Sequence, residues 1–316
     1  MILAPLRGVT IRCFRETFAD VIRAAGFTEA FTPFITATEG YDPLKDRELE
    51  NSSILRFVDC SIDSTIRRFD DSTTSPLRLT PQFIGKDPAA LRVCLRRIKS
   101  AGYDTADLNC GCPFPMVRNK GRGSGILRTP DVLRRMLDVG CEEMGAGKFS
   151  IKARLGVERK DELLKLMPLV NLYPLRFLTV HARTARQMYE GACDRAALAA
   201  VREVARVPIV ENGDLDWRKG EGMVGRSFIR DLGAREDIGE LLRRYIDASS
   251  RELCGDTAVL GRMKELMSYW KDLPQWRRRW NVVKITRTVD ELRSILIGLG
   301  VGGERGALGV RCRSKV

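Results

Sequence analysis

From Thr105 onward the sequence alternates short apolar runs with amphipathic stretches so regularly that few folds can accommodate it. Thr105–Asn109, Phe149–Arg154, Arg176–His181 and Pro208–Glu211 read as strands, and Pro130–Met144, Lys160–Leu172 and Asp194–Val204 between them as helices. Strand, helix and strand repeated at this length require parallel strands joined by right-handed crossovers. Upstream, residues 1–5, Ala30–Ile35 and Leu77–Ile84 (interrupted by Pro81) add strands, and Ile11–Ala25 and Pro88–Ala101 add helices. That number of units predicts an α/β chain closed into a (β/α)8 TIM barrel rather than an open sheet. The long polar connection 39–75 is expected to be irregular, with a short helix around Ile62–Phe69.

One crossover is too short. A crossover with its helix takes at least about 10–12 residues plus loops, whereas Asp216-Trp-Arg-Lys-Gly-Glu-Gly222 has no helical apolar face and little chain around it. The seventh helix is therefore expected to be missing, which would leave a gap in the outer ring. Past Ile238 the texture turns to helix after helix, with Leu241–Cys254, Ala258–Lys271 and Val289–Ile297 as the elements of a small bundle. The reading is a barrel over 1–237, a helical domain over 238–297 and a disordered basic tail rich in glycine over 298–316.

Composition enters through charge. A formal +13 over 316 residues favours a polyanionic partner, nucleic acid first and an anionic membrane surface second. No run approaches the roughly 18 apolar residues of a spanning helix, and the start lacks a signal peptide's apolar core, so a cytoplasmic protein with no membrane partner is expected. Nine scattered cysteines argue for reduced thiols. Cys110-Gly-Cys112 has no second Cys or His cluster nearby, so no metal is expected, and a monomer is.

Polar residues collect at the C-terminal ends of the predicted strands, where barrel enzymes keep their chemistry: Gln82, Asn109, Lys152, Arg154, His181 and Asn212. Strand alternation points Lys152 and Arg154 to one face, into the barrel mouth. Lys152 there needs an anionic ligand or a buried carboxylate, with Asp107 and Asp214 as candidates. Cys112, held between Gly111 and Pro113, is either a core thiol or a candidate acid or nucleophile. Asn212-Gly213-Asp214 with Gly225-Arg226 fits a phosphate site at the last strands.

Taken in order, Ala4-Pro-Leu-Arg-Gly-Val9, Gln82-Phe-Ile-Gly85, Asp107-Leu-Asn-Cys-Gly-Cys-Pro113, Lys152-Ala-Arg-Leu-Gly156, His181-Ala-Arg-Thr184, Asn212-Gly-Asp214 and Gly225-Arg226 resemble the motifs of the tRNA-dihydrouridine synthases. Gly255-Asp-Thr257 with Met263-Lys-Glu-Leu-Met-Ser-Tyr269 is most similar to the bacterial synthase C branch. The resemblance implies FMN as prosthetic group, NADPH as electron donor, and reduction of a D-loop uridine in tRNA to 5,6-dihydrouridine, at uridine 16 for that branch. It implies Cys112 as proton donor and FMN contacts from Pro5, Leu6, Arg7, Gln82, Lys152, His181, Asn212, Gly213, Asp214, Gly225 and Arg226. It further implies tRNA contacts from Asn109 and Arg154, and the helical part adds Arg262, Lys264 and Lys284, with tryptophans interleaved among its basic residues. Leu6 replaces the family's usual Met, and Thr36 falls near a position often basic in that branch. Two other readings stay open: a tRNA-binding protein that has lost flavin through the shortened crossover, and a flavin barrel acting on a free pyrimidine.

Overall fold

The structure is a computed structural model that describes residues 1–49 and 77–297. The helix expected near Ile62–Phe69 and the tail from Gly298 lie outside the described residues. The chain divides into two compact units, Met1–Arg230 and the part that begins at Asp231, a boundary somewhat earlier than the change in sequence texture suggests.

In the first unit β1 (Ile2–Leu3) leads through α1 (Arg12–Thr17) and α2 (Ala19–Ala24) to β2 (Glu29–Phe31) and β3 (Ile35–Thr36). The single helix expected over Ile11–Ala25 bends at Phe18, where Phe14 and Phe18, both fully buried, stack at 4.5 Å. The strand expected over Ala30–Ile35 is broken at Pro33, which has no N–H to give to a ladder. Pro81 divides β4 (Arg78–Thr80) from β5 (Gln82–Ile84) in the same way.

After α3 (Pro88–Ser100) comes β6 (Ala106–Cys110), then α4 (Pro115–Arg118), a 3-10 turn over Gly123–Arg128, and α5 (Pro130–Met144). The alternation continues with β7 (Phe149–Gly156), α6 (Glu162–Val170), β8 (Leu178–Thr184), α7 (Arg195–Val204) and β9 (Ile209–Asn212). Asp194 caps α7 by accepting from the N–H of Ala197.

All pairings are parallel, and the ten strand segments run in the order β3-β5-β6-β7-β8-β9-β10-β1-β2-β4, where β10 is Met223–Val224. Because β2 with β3, and β4 with β5, are each one strand broken at proline, and β2 pairs β4 while β3 pairs β5, the two ends of that order meet. The sheet is an eight-stranded closed barrel. Its floor carries Phe31, Phe177, Ala4 and Met223 in one apolar cluster. Beside it the guanidinium of Arg176 donates two bonds, at 2.6 and 2.8 Å, to the carboxylate of Glu29.

The missing crossover is real. Between β9 and β10 there is only a 3-10 turn, Trp217–Lys219, yet β10 still pairs with β9 on one side and β1 on the other. Trp217 lies edge-on to Phe228 of α8 (Arg226–Leu232) at 5.6 Å, and Phe27 meets the same ring at 4.7 Å, so one indole covers part of what a helix would cover. The uncovered remainder is a cavity of about 310 Å³ bordered by Met1, Ile2, Arg202, Glu211, Leu215 and Glu221.

The second unit contains α9 (Ile238–Glu252), α10 (Asp256–Met267), α11 (Pro274–Val283) and α12 (Val289–Ile295). Helix α11, rich in Arg and Trp, is an element the sequence reading did not predict. Trp270 and Trp276 are buried together at 4.9 Å, and the indole N–H of Trp276 donates to the carbonyl of Gly233 at 2.7 Å. No helix among the described residues is long and apolar enough to cross a membrane, and no group of His, Cys, Asp and Glu among them could hold a metal ion.

Gly140 of α5 is where helix and barrel come closest, because a Cβ there would lie 2.1 Å from the ring of Phe149 in β7. Gly140→Ala should cost about 1–3 kcal/mol through forced repacking, read as a lower urea midpoint with an unchanged slope; an unaltered midpoint would mean the ring moves aside freely.

Candidate active site

Parallel strands in register place alternate side chains of neighbours side by side. Gln82 pairs with Asp107, Asp107 with Ser150, Asn109 with Lys152, Arg154 with His181, and His181 with Asn212. The polar strand-end residues expected at the mouth are therefore gathered on five adjacent strands.

They are joined by directed hydrogen bonds. Asp107, fully buried, accepts from Ser150 Oγ at 2.6 Å and from Gln82 Nε2 at 2.8 Å. Gln82 Oε1 then accepts from Asn109 Nδ2 at 2.8 Å, and Asn109 Oδ1 accepts from the backbone N–H groups of Gly111 at 3.0 Å and Cys112 at 2.8 Å. When ionised the carboxylate only accepts, and it then dictates which way both amides face, and the last amide fixes the loop that carries Cys112. Burial pushes Asp107 up to about 7, against Ser150, Gln82 and Lys152, which favour its charge.

Cys112 is 6% exposed. Burial raises its thiol pKa, opposed by the Phe114 N–H and by the charges of Arg154, Arg7 and Lys152, so the thiol carries its proton at neutral pH with three cations ready to receive a thiolate. Cys110 is fully buried and its thiol is pushed far up by burial, which leaves it as packing.

Lys152 does not pair with Asp107 or Asp214 through a hydrogen bond; its Nζ donates to Asn212 Oδ1 at 2.9 Å, and Asn212 Nδ2 donates to the carbonyl of Met223 at 2.7 Å. Burial, helped by the charge of Arg154, lowers the ammonium to about 8. His181 is held neutral by burial and by Lys152, Arg154, Arg183 and Arg226 around it. Arg183 Nη1 lies 3.2 Å from His181 Nε2, and since a guanidinium only donates, Nε2 accepts and Nδ1 bears the hydrogen. Arg183 also donates to Asp214 Oδ2 at 2.6 Å, and Arg226 reaches the other carboxylate oxygen at 3.8 Å. Burial works against the charge of Asp214, but Arg183 and Cys193 hold its pKa below the ordinary value.

Arg154 is buried and donates to three backbone carbonyls: Gly111 at 3.0 Å, Thr184 at 2.8 Å and Met188 at 2.6 Å. It thus pins the thiol loop to the loop after β8. There Met188 has φ 51, an uncommon value for a residue with a side chain, and the next residue, Tyr189, is 42% exposed with Arg154 at 5.3 Å and Arg226 at 4.5 Å from its ring centre. The loop over Pro5–Arg7 adjoins the end of the barrel: a Cβ on Gly225 would lie 3.5 Å from the side chain of Leu6, and Arg7 sits 5.4 Å over Phe34.

The glycine turn serves the loop itself. A Cβ on Gly123 would lie 2.7 Å from Cys112 Cβ, and one on Gly125 would lie 2.1 Å from the Arg118 carbonyl oxygen. The glycines let the turn close on the thiol loop rather than hold a ligand. Gly213, at φ 99, is likewise closed on His181 and Cys193.

The sequence pattern of the dihydrouridine synthases matches residues 2–224. The chain belongs to the dihydrouridine synthase family. It is 29% identical to tRNA-dihydrouridine synthase B of Pseudomonas aeruginosa over 217 residues, 68% of this chain and 58% of that protein. It is 26% identical to the tRNA-dihydrouridine(16) synthase of Shigella flexneri over 301 residues, 85% of this chain and 88% of the relative. With that of Salmonella typhimurium it is 25% identical over 234 residues, 72% and 69%. The match to the first relative thus spans little more than half of that protein's length.

In this family member the helical unit holds the other expected contacts differently. Arg262 is buried and donates to Glu252 at 2.9 Å and Ser249 at 3.2 Å, and Lys264 donates to the carbonyl of Thr286 at 2.6 Å. Lys284, Arg277 and Arg278 are exposed. Arg183 and Ser150 were not singled out from sequence, although period-two counting from His181 and Lys152 reaches both. Tyr189 had no such signal.

Because the pKa of Asp107 is raised in the fold, its ionisation costs stability: none of that cost is present below about pH 4, and all of it is present above about 7. The unfolding free energy of Asp107→Asn relative to the parent should therefore rise by about 3 kcal/mol between pH 5 and 8. A difference that stays flat across that range would show that Asp107 is not a buried titrating carboxylate.

Proposed function

We propose that this chain reduces a D-loop uridine in tRNA to 5,6-dihydrouridine, with FMN as prosthetic group and NADPH as electron donor. The observation that carries the reading is a protonated thiol on a loop locked by Asn109, at one barrel mouth with a buried ammonium and a neutral imidazole. The donor set fits a flavin. Lys152 has N–H groups beyond the one given to Asn212, and His181 keeps Nδ1–H free of Arg183, so both could donate to a ring system that becomes electron-rich on reduction. Gln82 borders the same place, and Pro5, Leu6 and Arg7 would lie along the ring system through their main chain. The main chain at Asn212, Gly213, Asp214 and Gly225, with the guanidinium of Arg226, would hold ribityl and phosphate.

When bound, the flavin supplies the hydride for uracil C6. Cys112 delivers its Sγ proton to C5, and the charges of Arg154, Arg7 and Lys152 stabilise the thiolate left behind. Asn109 has both the Gly111 and Cys112 N–H groups on its oxygen and one amide hydrogen on Gln82, so it presents one N–H to the base. Arg154 acts by holding the carbonyls on either side of the mouth, and Tyr189 offers the base an aromatic edge. For the helical unit the reading keeps Lys284, with Arg277 and Arg278, as cations for tRNA phosphates, whereas Arg262 and Lys264 hold the bundle together. Uridine 16 is our choice of position, supported by the alignment to a (16) synthase through most of both chains.

One observation favours the flavin-free alternative: Asp214 already occupies Arg226 and Arg183, the cations a phosphate would use. Colour separates the two. The protein, as purified or reconstituted with FMN, should be yellow, bleach with NADPH and reoxidise on adding unmodified tRNA, with dihydrouridine appearing at position 16. Cys112→Ala should lower dihydrouridine formation at least about 100-fold while still bleaching, and Cys110→Ser should keep full activity. Protein that takes up no FMN, or a Cys112→Ala variant that turns over normally, would overturn the reading.

A further inference from the structure

Beyond Cys112 the loop continues into a surface that the proton delivery does not use. Phe114 is 44% exposed and Met116 is 73% exposed, two large apolar side chains presented to solvent within four residues of the thiol. Single exposed apolar residues are ordinary. This pair is different because its backbone is held fast. The carbonyl of Phe114 accepts from the N–H groups of Val117 at 2.9 Å and Arg118 at 3.0 Å, and Gly123 and Gly125 close the following turn directly onto Cys112 and Arg118.

The surroundings select the occupant. From Gly111 to Pro130 there is no carboxylate, while Arg118, Lys120 and Arg122 follow the apolar pair at two-residue intervals. The Nε atoms of Arg118 and Arg122 are buried and have no hydrogen-bond partner among the described residues. Lys86, exposed, would lie 3.5 Å from a Cβ on Gly121, so its stem runs along the same turn. Apolar faces bordered by cations and by no acid match unpaired nucleotides, whose bases stack and whose phosphates need positive charge.

We propose that Phe114 and Met116 form the platform on which the nucleotides flanking the reduced uridine stack, with Arg118, Lys120 and Arg122 holding their phosphates. This rests on the tRNA reading above. The platform directly continues the loop that bears the thiol, so engaging it brings the neighbouring uridine to Cys112, and substrate choice then depends on unstacked neighbours as well as on the target base.

The test uses the full chain and an unmodified tRNA transcript carrying a fluorescent adenine analogue beside the target uridine. Phe114→Ala and Met116→Ala should each weaken binding roughly 5- to 100-fold and abolish the quenching of the fluorescent base. Lys120→Ala should lower the slope of log affinity against log salt by about 0.7. Leu172→Ala, which removes another exposed apolar side chain (65% exposed) away from the thiol loop, should change neither. If wild type binds the transcript and quenches it while the Phe114 and Met116 variants do the same, the platform is refuted and the function stands. If those variants leave affinity unchanged but convert a dimer to monomer, the pair is a contact between copies and the platform is also refuted. If wild type itself does not bind tRNA, the proposed function fails first.

Discussion

The mouth of the barrel depends on one hydrogen bond, that from the Cys112 N–H to the Asn109 side chain. Without it the buried Cys112 N–H would be left unsatisfied, costing about 1–3 kcal/mol. Asn109 can serve it only because Gln82 takes its amide hydrogen, and Gln82 faces that way only because Asp107 accepts from its other end. A chain of amides has two orientations, and the ionised carboxylate, which only accepts, removes one of them. The cost of burying that carboxylate thus sustains a defined position for the thiol, as buried polar networks do when every member is satisfied.

The second constraint is closure. A parallel barrel that loses a covering helix risks losing the strand that the helix leads into. Here β10 survives because both neighbours hydrogen-bond it and Trp217 packs on Phe228, while the end of the barrel stays in place through Gly225 against Ala4 and Leu6. The shortened crossover therefore reaches the outer layer and not the ring of strand ends on which the chemistry rests.

Much of this was legible in sequence where one physical rule dominates. The helix read over Pro130–Met144 is the helix present, because Pro at its first turn and a clear apolar stripe agree, and period-two counting places Lys152, Arg154 and His181 on the inner face. Where a rule acts alone it misleads. Basic residues mixed with tryptophan suggested an RNA-facing surface, but composition says nothing of direction: Trp270, Trp276 and Arg262 turn inward, whereas Arg277, Arg278 and Lys284 are exposed. The resemblance gives Arg154 a tRNA contact, whereas loops distant in sequence bring three carbonyls to it. Tyr189 could not be foreseen, since its position follows from the left-handed turn at Met188 and a guanidinium from another strand. The turn's Gly123 and Gly125 are needed because Cys112 and Arg118 approach them closely, a contact that no local pattern announces.

The barrel's seam joins the beginning of the chain to residues 223–224. Strand β10 has only two residues and no preceding helix to bring it into place, so it contributes little local structure of its own. Closing the ring must then wait until nearly all of the first unit has been made, and the loop to be closed spans more than two hundred residues. During synthesis the edges of β1 and β9 stay open to other chains for longer than in a barrel whose last strand arrives with its own helix.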